Sequence, residues 1–186
     1  MSTRSLIGME RKPGGWIDFI YCHSDGYPVG VGAILQEHYQ DPEKIKQLIA
    51  LGSITSLGRD IGEKQDFNKP NYLQCNAYHR DRGEPWERCR PEVARTVGSL
   101  RKRDLGQSYC YVYLLTEDRR EREPFGTWYY VPTGYVQLNS SVPEGWTPAW
   151  SKPGYVDPFT SSATTAETNR VLRITPEENY AGSAAG

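Results

Sequence analysis

No stretch of the 186 residues approaches the ~20 consecutive apolar positions of a membrane span, so a membrane is not an expected partner. Neither sign of charge dominates, since 22 Lys plus Arg stand against 23 Asp plus Glu, a formal net charge of -1. That balance excludes a strongly basic nucleic-acid protein and an acidic nucleic-acid mimic, and sequence-specific nucleic acid is not expected to bind. Cysteine is sparse and scattered. Cys22, Cys75, Cys89 and Cys110 include no C-x-x-C pair, the spacing that signals zinc or redox chemistry. Buried, reduced thiols are the simpler reading, and a zinc site from Cys22, His23, Cys75, His79 and Cys89 has no ligand pair of familiar spacing. No metal or cofactor is therefore called for. The first residues lack the basic-then-apolar layout of a secretory signal, carrying Arg4, Glu10, Arg11 and Lys12 instead, and a cytosolic protein is expected. No internal repeat is visible.

What remains is the composition of one α+β domain, 37% hydrophobic and 12% aromatic. At this length a single core buries roughly 70% of the unfolded surface and needs no staple. Residues 4–9 and 16–22 are apolar stretches separated by Lys12, Pro13, Gly14 and Gly15, which predicts an N-terminal β-hairpin. Pro28 opens a helix to about Tyr39. Asp41 and Pro42 start a second one, carrying Ile45, Leu48 and Ile49 and stopped at Gly52. Residues 53–70 read as an irregular loop and 72–79 as a strand. Val93, Val97 and Leu100 predict a third, amphipathic helix from Pro91 to about Arg103. YCYVYLL (109–115) and TWYYVP (127–132) are the strongest strand signals, with GYVQL (134–138) as an extension and the charged run 117–123 as a hairpin tip. The expected architecture is an antiparallel sheet with three helices packed on it, over residues 1–138. An irregular arm completes the chain, 139–186, with a short strand at VLRIT (171–175) and a mobile end.

Two segments carry chemistry-bearing residues. In YCHSDGYPVGVG (21–32), His23 and Asp25 are two apart and share a face if the strand persists, while glycines around Gly30 suit anion binding at a helix start. The competing reading gives Asp25 a turn and the glycines close packing. In AYHRDRGEPW (77–86), His79 and Asp81 repeat the H-x-D spacing, with Arg80 and Arg82 between and beyond them. Imidazole and carboxylate so placed can share a metal or act as acid and base, and arginine can fork onto a phosphate. An exposed salt-bridge array is the alternative, worth ~0–1 kcal/mol per pair. Over residues 80–104, eight Lys or Arg stand against five Asp or Glu, a modestly electropositive stretch. Tyr109, Tyr111 and Tyr113 recur on one strand face, as core packing or as a stacking platform. Ser2 would be an N-terminal nucleophile after loss of Met1, a weak signal.

MSTRS, YCHSDGYP followed by GVG and LQEHY, DPEKIKQLIALGSITSLG and AYHRDRGE together resemble a family of small tailed-bacteriophage and prophage proteins of unassigned activity, over about residues 1–138. The resemblance implies an accessory role in the host cytoplasm, such as counteracting a host defence. It lends no catalytic residues. His23, Asp25, Gly30, His79, Arg80, Asp81 and Arg82 are the expected ligand-binding positions. The expectation is a binding protein that sequesters a phosphorylated nucleotide-like ligand or blocks a host protein. The alternative is a metal-dependent phosphoester hydrolase built on the two H-x-D pairs. The Tyr-rich sheet or the basic stretch as a protein-binding surface is a third possibility. Oligomeric state is left open.

Overall fold

The computed structural model describes residues 2–116, 126–131 and 142–149, and they form an α+β fold around a seven-stranded sheet. The strands are β1 (Ser5–Glu10), β2 (Ile17–Cys22), β3 (Ile54–Ser56), β4 (Asn76–Ala77), β5 (Glu92–Ala94), β6 (Tyr109–Leu115) and β7 (Gly126–Tyr130). Their order is β4-β3-β2-β1-β6-β7, with β5 pairing to the first half of β2. β1 and β2 make the predicted hairpin, and β6 and β7 pair antiparallel as well. The sheet is nevertheless mixed rather than antiparallel throughout, because β1 pairs parallel with β6 and β2 parallel with β3.

Period-two alternation distributes the strands' side chains between two cores. From β1 and β6, Ile7, Met9, Tyr111, Tyr113 and Leu115 face one layer, while Leu6, Cys110, Val112 and Leu114 face the other. Every residue of β1 is buried, which is how a central strand with both faces covered should look. The first layer is closed by a helical hairpin, as the sequence predicts. Pro28–Gly32 is a π-helical turn that runs into α1 (Ala33–His38), and α2 (Pro42–Ala50) comes next. The Asp41 carboxylate caps α2 by accepting from Glu43 N, and Ile45, Leu48 and Ile49 are its buried face. Each such side chain contributes roughly 1.5–3 kcal/mol on full burial. Tyr111 and Tyr113 are fully buried, donating to the carbonyls of Gly26 and Gln40 at 2.8 and 3.2 Å. The tyrosine row is therefore core packing, with the hydroxyls tying the sheet to the helical layer.

Three expected elements come out differently. Residues 91–103 are not one helix: β5 pairs with β2, and α5 (Val97–Arg101) begins afresh at Thr96. The reason is a capping box, in which Thr96 and Ser99 satisfy each other's backbone N–H and reset the helix start. Residues 72–79 are not a strand beyond Asn76–Ala77, and Tyr78–Arg82 is a helical turn, α3. Gly83, at φ 80°, ends α3 with Gly83 N bonded to His79 O and Glu84 N to Tyr78 O. The loop 53–70 contains β3, which extends the sheet beside β2. A short α4 (Trp86–Cys89) comes after α3.

Of the expected arm, residues 142–149 are seen against the body. Trp146 packs on Tyr111 at 4.6 Å between ring centres, and Tyr130 bridges to Pro148. The run 117–123, the extension 134–138 and VLRIT lie outside the described residues.

Candidate functional site

The two H-x-D motifs begin as neighbours, since Cys22 of β2 pairs with Ile54 of β3 and Ile54 pairs with Ala77 of β4. Beyond the strand ends the backbone takes a different course in each motif and separates their side chains. β2 stops at Cys22, and His23 N and Ser24 N continue onto the carbonyls of Ile54 and Thr55 at 3.1 and 2.9 Å. Asp25 sits at φ 55°, the one non-glycine residue at positive φ among the described residues. This left-handed conformation, which Asp tolerates better than most residues, turns the chain into the π-helical segment and breaks strand alternation. His23 Nδ1 meets the Tyr21 hydroxyl at 2.9 Å, whereas the exposed Asp25 carboxylate accepts from Tyr27 at 3.1 Å.

The turn also consumes the donors of the suggested anion cradle. Gly30 N bonds Tyr27 O at 2.9 Å and Val31 N bonds Asp25 O at 2.8 Å. A Cβ on Gly30 would overlap the Asp25 carbonyl oxygen, and one on Gly32 would press on the Trp146 indole. Close packing accounts for these glycines.

In the second motif the spacing has the opposite consequence from the one expected. On a helical turn, residues two apart lie about 200° around the axis, so His79 and Asp81 point to opposite sides. His79 is exposed; its Nδ1 lies 2.7 Å from Glu84 O, a carbonyl that only accepts, so Nδ1 carries the proton. The ring edge rests on Trp86 at 5.2 Å. The Asp81 side chain is fully buried. It accepts from Ala77 N at 2.7 Å, from Gln65 N at 3.0 Å and from Arg80 Nε and Nη2, both at 2.9 Å. Arg80 in turn donates to the carbonyls of Ile61, Gly62 and Cys75. Burial raises the Asp81 pKa, but the guanidinium and the two backbone N–H groups outweigh it and hold the carboxyl below its ordinary value. Arg80 and Asp81 thus clamp the loop 61–75 to α3. Among the described residues no three His, Cys, Asp or Glu side chains gather as a metal-holding group.

The loop held by this clamp forms one wall of an open surface groove of about 670 Å³. Ser2 and Thr3 of the N-terminal segment, Ser24, Asp25 and Tyr27 of the first motif, and Thr55 and Ser56 of β3 line it. Phe67, Asn68, Pro70, Tyr72 and Asn76 complete the wall. These segments meet because Gly26 N bonds Thr3 O at 2.8 Å and Ser2 Oγ donates to His23 O at 2.8 Å. The lining is hydroxyl, amide and aromatic, with one carboxylate and no Lys or Arg. The Arg82 guanidinium lies 5.2 Å over the Phe67 ring and pairs with Glu84 at 3.5 Å. Asn76 is 1% exposed; its Nδ2 donates to Phe67 O at 3.1 Å, and its Oδ1, closed to solvent, has no hydrogen-bond partner among the described residues.

Of the seven expected positions, Asp25 lies on this wall, Arg82 stands behind Phe67, and Arg80 with Asp81 anchors the loop. His23, Gly30 and His79 are not among the lining residues. Sequence reasoning missed Thr3, Thr55, Ser56, Asn68, Tyr72 and Asn76 as wall residues. Isolated Ser, Thr and Asn carry no spacing signal, and their convergence depends on parallel pairing of distant strands. No protein-family model matches the chain, and no curated protein or solved structure matches it.

Proposed function

We propose that this protein is a phage-encoded accessory binding protein of the host cytoplasm that sequesters a small nucleotide-like molecule without turnover. The resemblance of its motifs supports the phage setting. The observation that carries the binding reading is an open, polar surface groove of about 670 Å³, a volume within the ~300–1,000 Å³ of small-molecule sites. Its lining includes the aromatic residues Phe67, Tyr27 and Tyr72, a residue type that suits a planar base, and its hydroxyls and amides suit a sugar. Asp25 is the lining's single carboxylate and has no imidazole partner on that wall, so no acid and base pair is assembled there. This favours retention over the hydrolase alternative.

Purified full-length protein should release a nucleotide-like compound on heat denaturation, detected by mass spectrometry at about one per chain. Titration calorimetry with a panel of nucleotides should show at least one binding. Absence of both a released compound and any heat of binding would overturn the reading.

A further inference from the structure

We infer that the segment 142–149 is a strap that holds one wall of the groove in its binding geometry, with Trp146 as the positioning residue. The inference rests on the ligand-binding reading of the groove and adds what keeps that site assembled.

Trp146 is buried against the sheet and the helical layer at once, and is 7% exposed. Its indole packs on the Tyr111 ring at 4.6 Å between ring centres, and a Cβ on Gly32 would lie 3.1 Å from its Nε1. From these two contacts, two bonded paths lead to the same wall. The Tyr111 hydroxyl donates to Gly26 O at 2.8 Å, and Gly26 N donates to Thr3 O at 2.8 Å. Gly26 is flanked in sequence by Asp25 and Tyr27, and those two residues line the groove together with Thr3. The second path is the π-helical turn itself: Gly32 N donates to Tyr27 O at 3.4 Å and Val31 N to Asp25 O at 2.8 Å. The surface on which Trp146 rests is therefore bonded to Asp25 and Tyr27. The strap is fastened on both sides of the indole, since Gln36 Nε2 donates to Gly145 O at 3.0 Å and Tyr130 N to Thr147 O at 2.8 Å.

This wall needs such a holder. Asp25 is exposed and lies at φ 55°, and Tyr27 is 37% exposed, so neither side chain is seated in the core. A non-glycine residue in the left-handed region persists where its surroundings hold it there. A tryptophan supplies a large, rigid contact area for that purpose. The groove thus has two holders on opposite walls: the Arg80–Asp81 clamp for the loop 61–75, and the strap for residues 24–27.

The test compares full-length Trp146→Ala and Trp146→Phe with the unaltered protein by backbone amide relaxation and by calorimetry with AMP, GMP, CMP and UMP. In folded Trp146→Ala, order parameters at Asp25, Gly26 and Tyr27 should fall from about 0.85 to below about 0.7, while Asn68 and Tyr72 on the other wall keep theirs. Affinity for a nucleotide that the unaltered protein binds should drop about 10-fold. Trp146→Phe, which keeps a ring against Tyr111, should restore both to near the unaltered values. Leu100→Ala, in the other core layer, controls for lost stability and should leave that affinity within about twofold. Unchanged order at residues 25–27 in Trp146→Ala overturns the inference, and so does an equal loss of affinity in Leu100→Ala. Should none of the nucleotides bind the unaltered protein, the nucleotide reading falls, and the relaxation data alone decide whether the strap positions the wall. Should Trp146→Ala not fold, Trp146→Leu, which loses the indole but stays apolar, takes its place.

Discussion

Replacing Asp81 by alanine removes a fully buried carboxylate that accepts four hydrogen bonds, two from backbone N–H groups and two from Arg80. Breaking a buried pair by deleting one partner costs about 3–5 kcal/mol, and each orphaned buried donor about 1–3 kcal/mol. These overlap and do not add. Arg80 keeps three carbonyl acceptors and is 18% exposed, so water and those carbonyls recover part of the loss. The expected destabilisation is about 3 kcal/mol, near the lower end of the buried-pair range. Asp60→Ala is the control, because Arg59 and Asp60 are adjacent in sequence and 53% and 57% exposed, and it should cost under about 1 kcal/mol. Urea unfolding followed by tryptophan fluorescence at pH 7 measures both.

The same carboxylate makes an acid-pH prediction. Its folded pKa is depressed below the value of 3.8 that an unperturbed Asp has, so its contribution is complete above about pH 4 and is lost as pH falls through the lower folded value. The stability gap between the unaltered protein and Asp81→Asn should accordingly narrow below pH 4. The reasoning is refuted if Asp81→Ala costs no more than Asp60→Ala, or if that gap is constant from pH 6 to pH 3. Because the clamp holds the loop that supplies Phe67, Asn68, Pro70 and Tyr72, any ligand affinity should also weaken in Asp81→Ala.

Two further expectations come from packing. Gly30→Ala forces a Cβ onto the Asp25 carbonyl oxygen, backbone that cannot swing aside, and should cost about 1–3 kcal/mol in the same unfolding assay. A cost below 0.5 kcal/mol, roughly the effect of a neutral surface change, would show that the π-helical turn is not rigidly seated. All four thiols are buried, and burial pushes each one's pKa up, that of Cys22 to about 12. None should react with a disulfide reagent at pH 8 in the native protein, and all should react in urea. Rapid native labelling of Cys22 or Cys110 would contradict the two-sided burial of the sheet.

The sequence alone determined those elements whose signal is local. The row 109–115 reads as a strand because both faces are apolar, and the helical hairpin is legible because Pro28, Asp41 and Pro42 mark where helices start. Alternation and caps act through the conformation of a few adjacent residues, which is why they are readable without the fold. The parallel pairing of β1 with β6, about a hundred positions downstream, has no such signal; it is chosen by which arrangement buries both faces at once. Side-chain direction in the two motifs was decided the same way. The positive φ of Asp25 and the helical turn Tyr78–Arg82 overrode the H-x-D spacing, turning Asp81 into a clamp and leaving His79 exposed. The groove is a purely tertiary product. Ser2, Thr55 and Asn76 become neighbours only after β2, β3 and β4 are aligned, because hydrogen-bond partners are set by proximity in space and not by spacing along the chain.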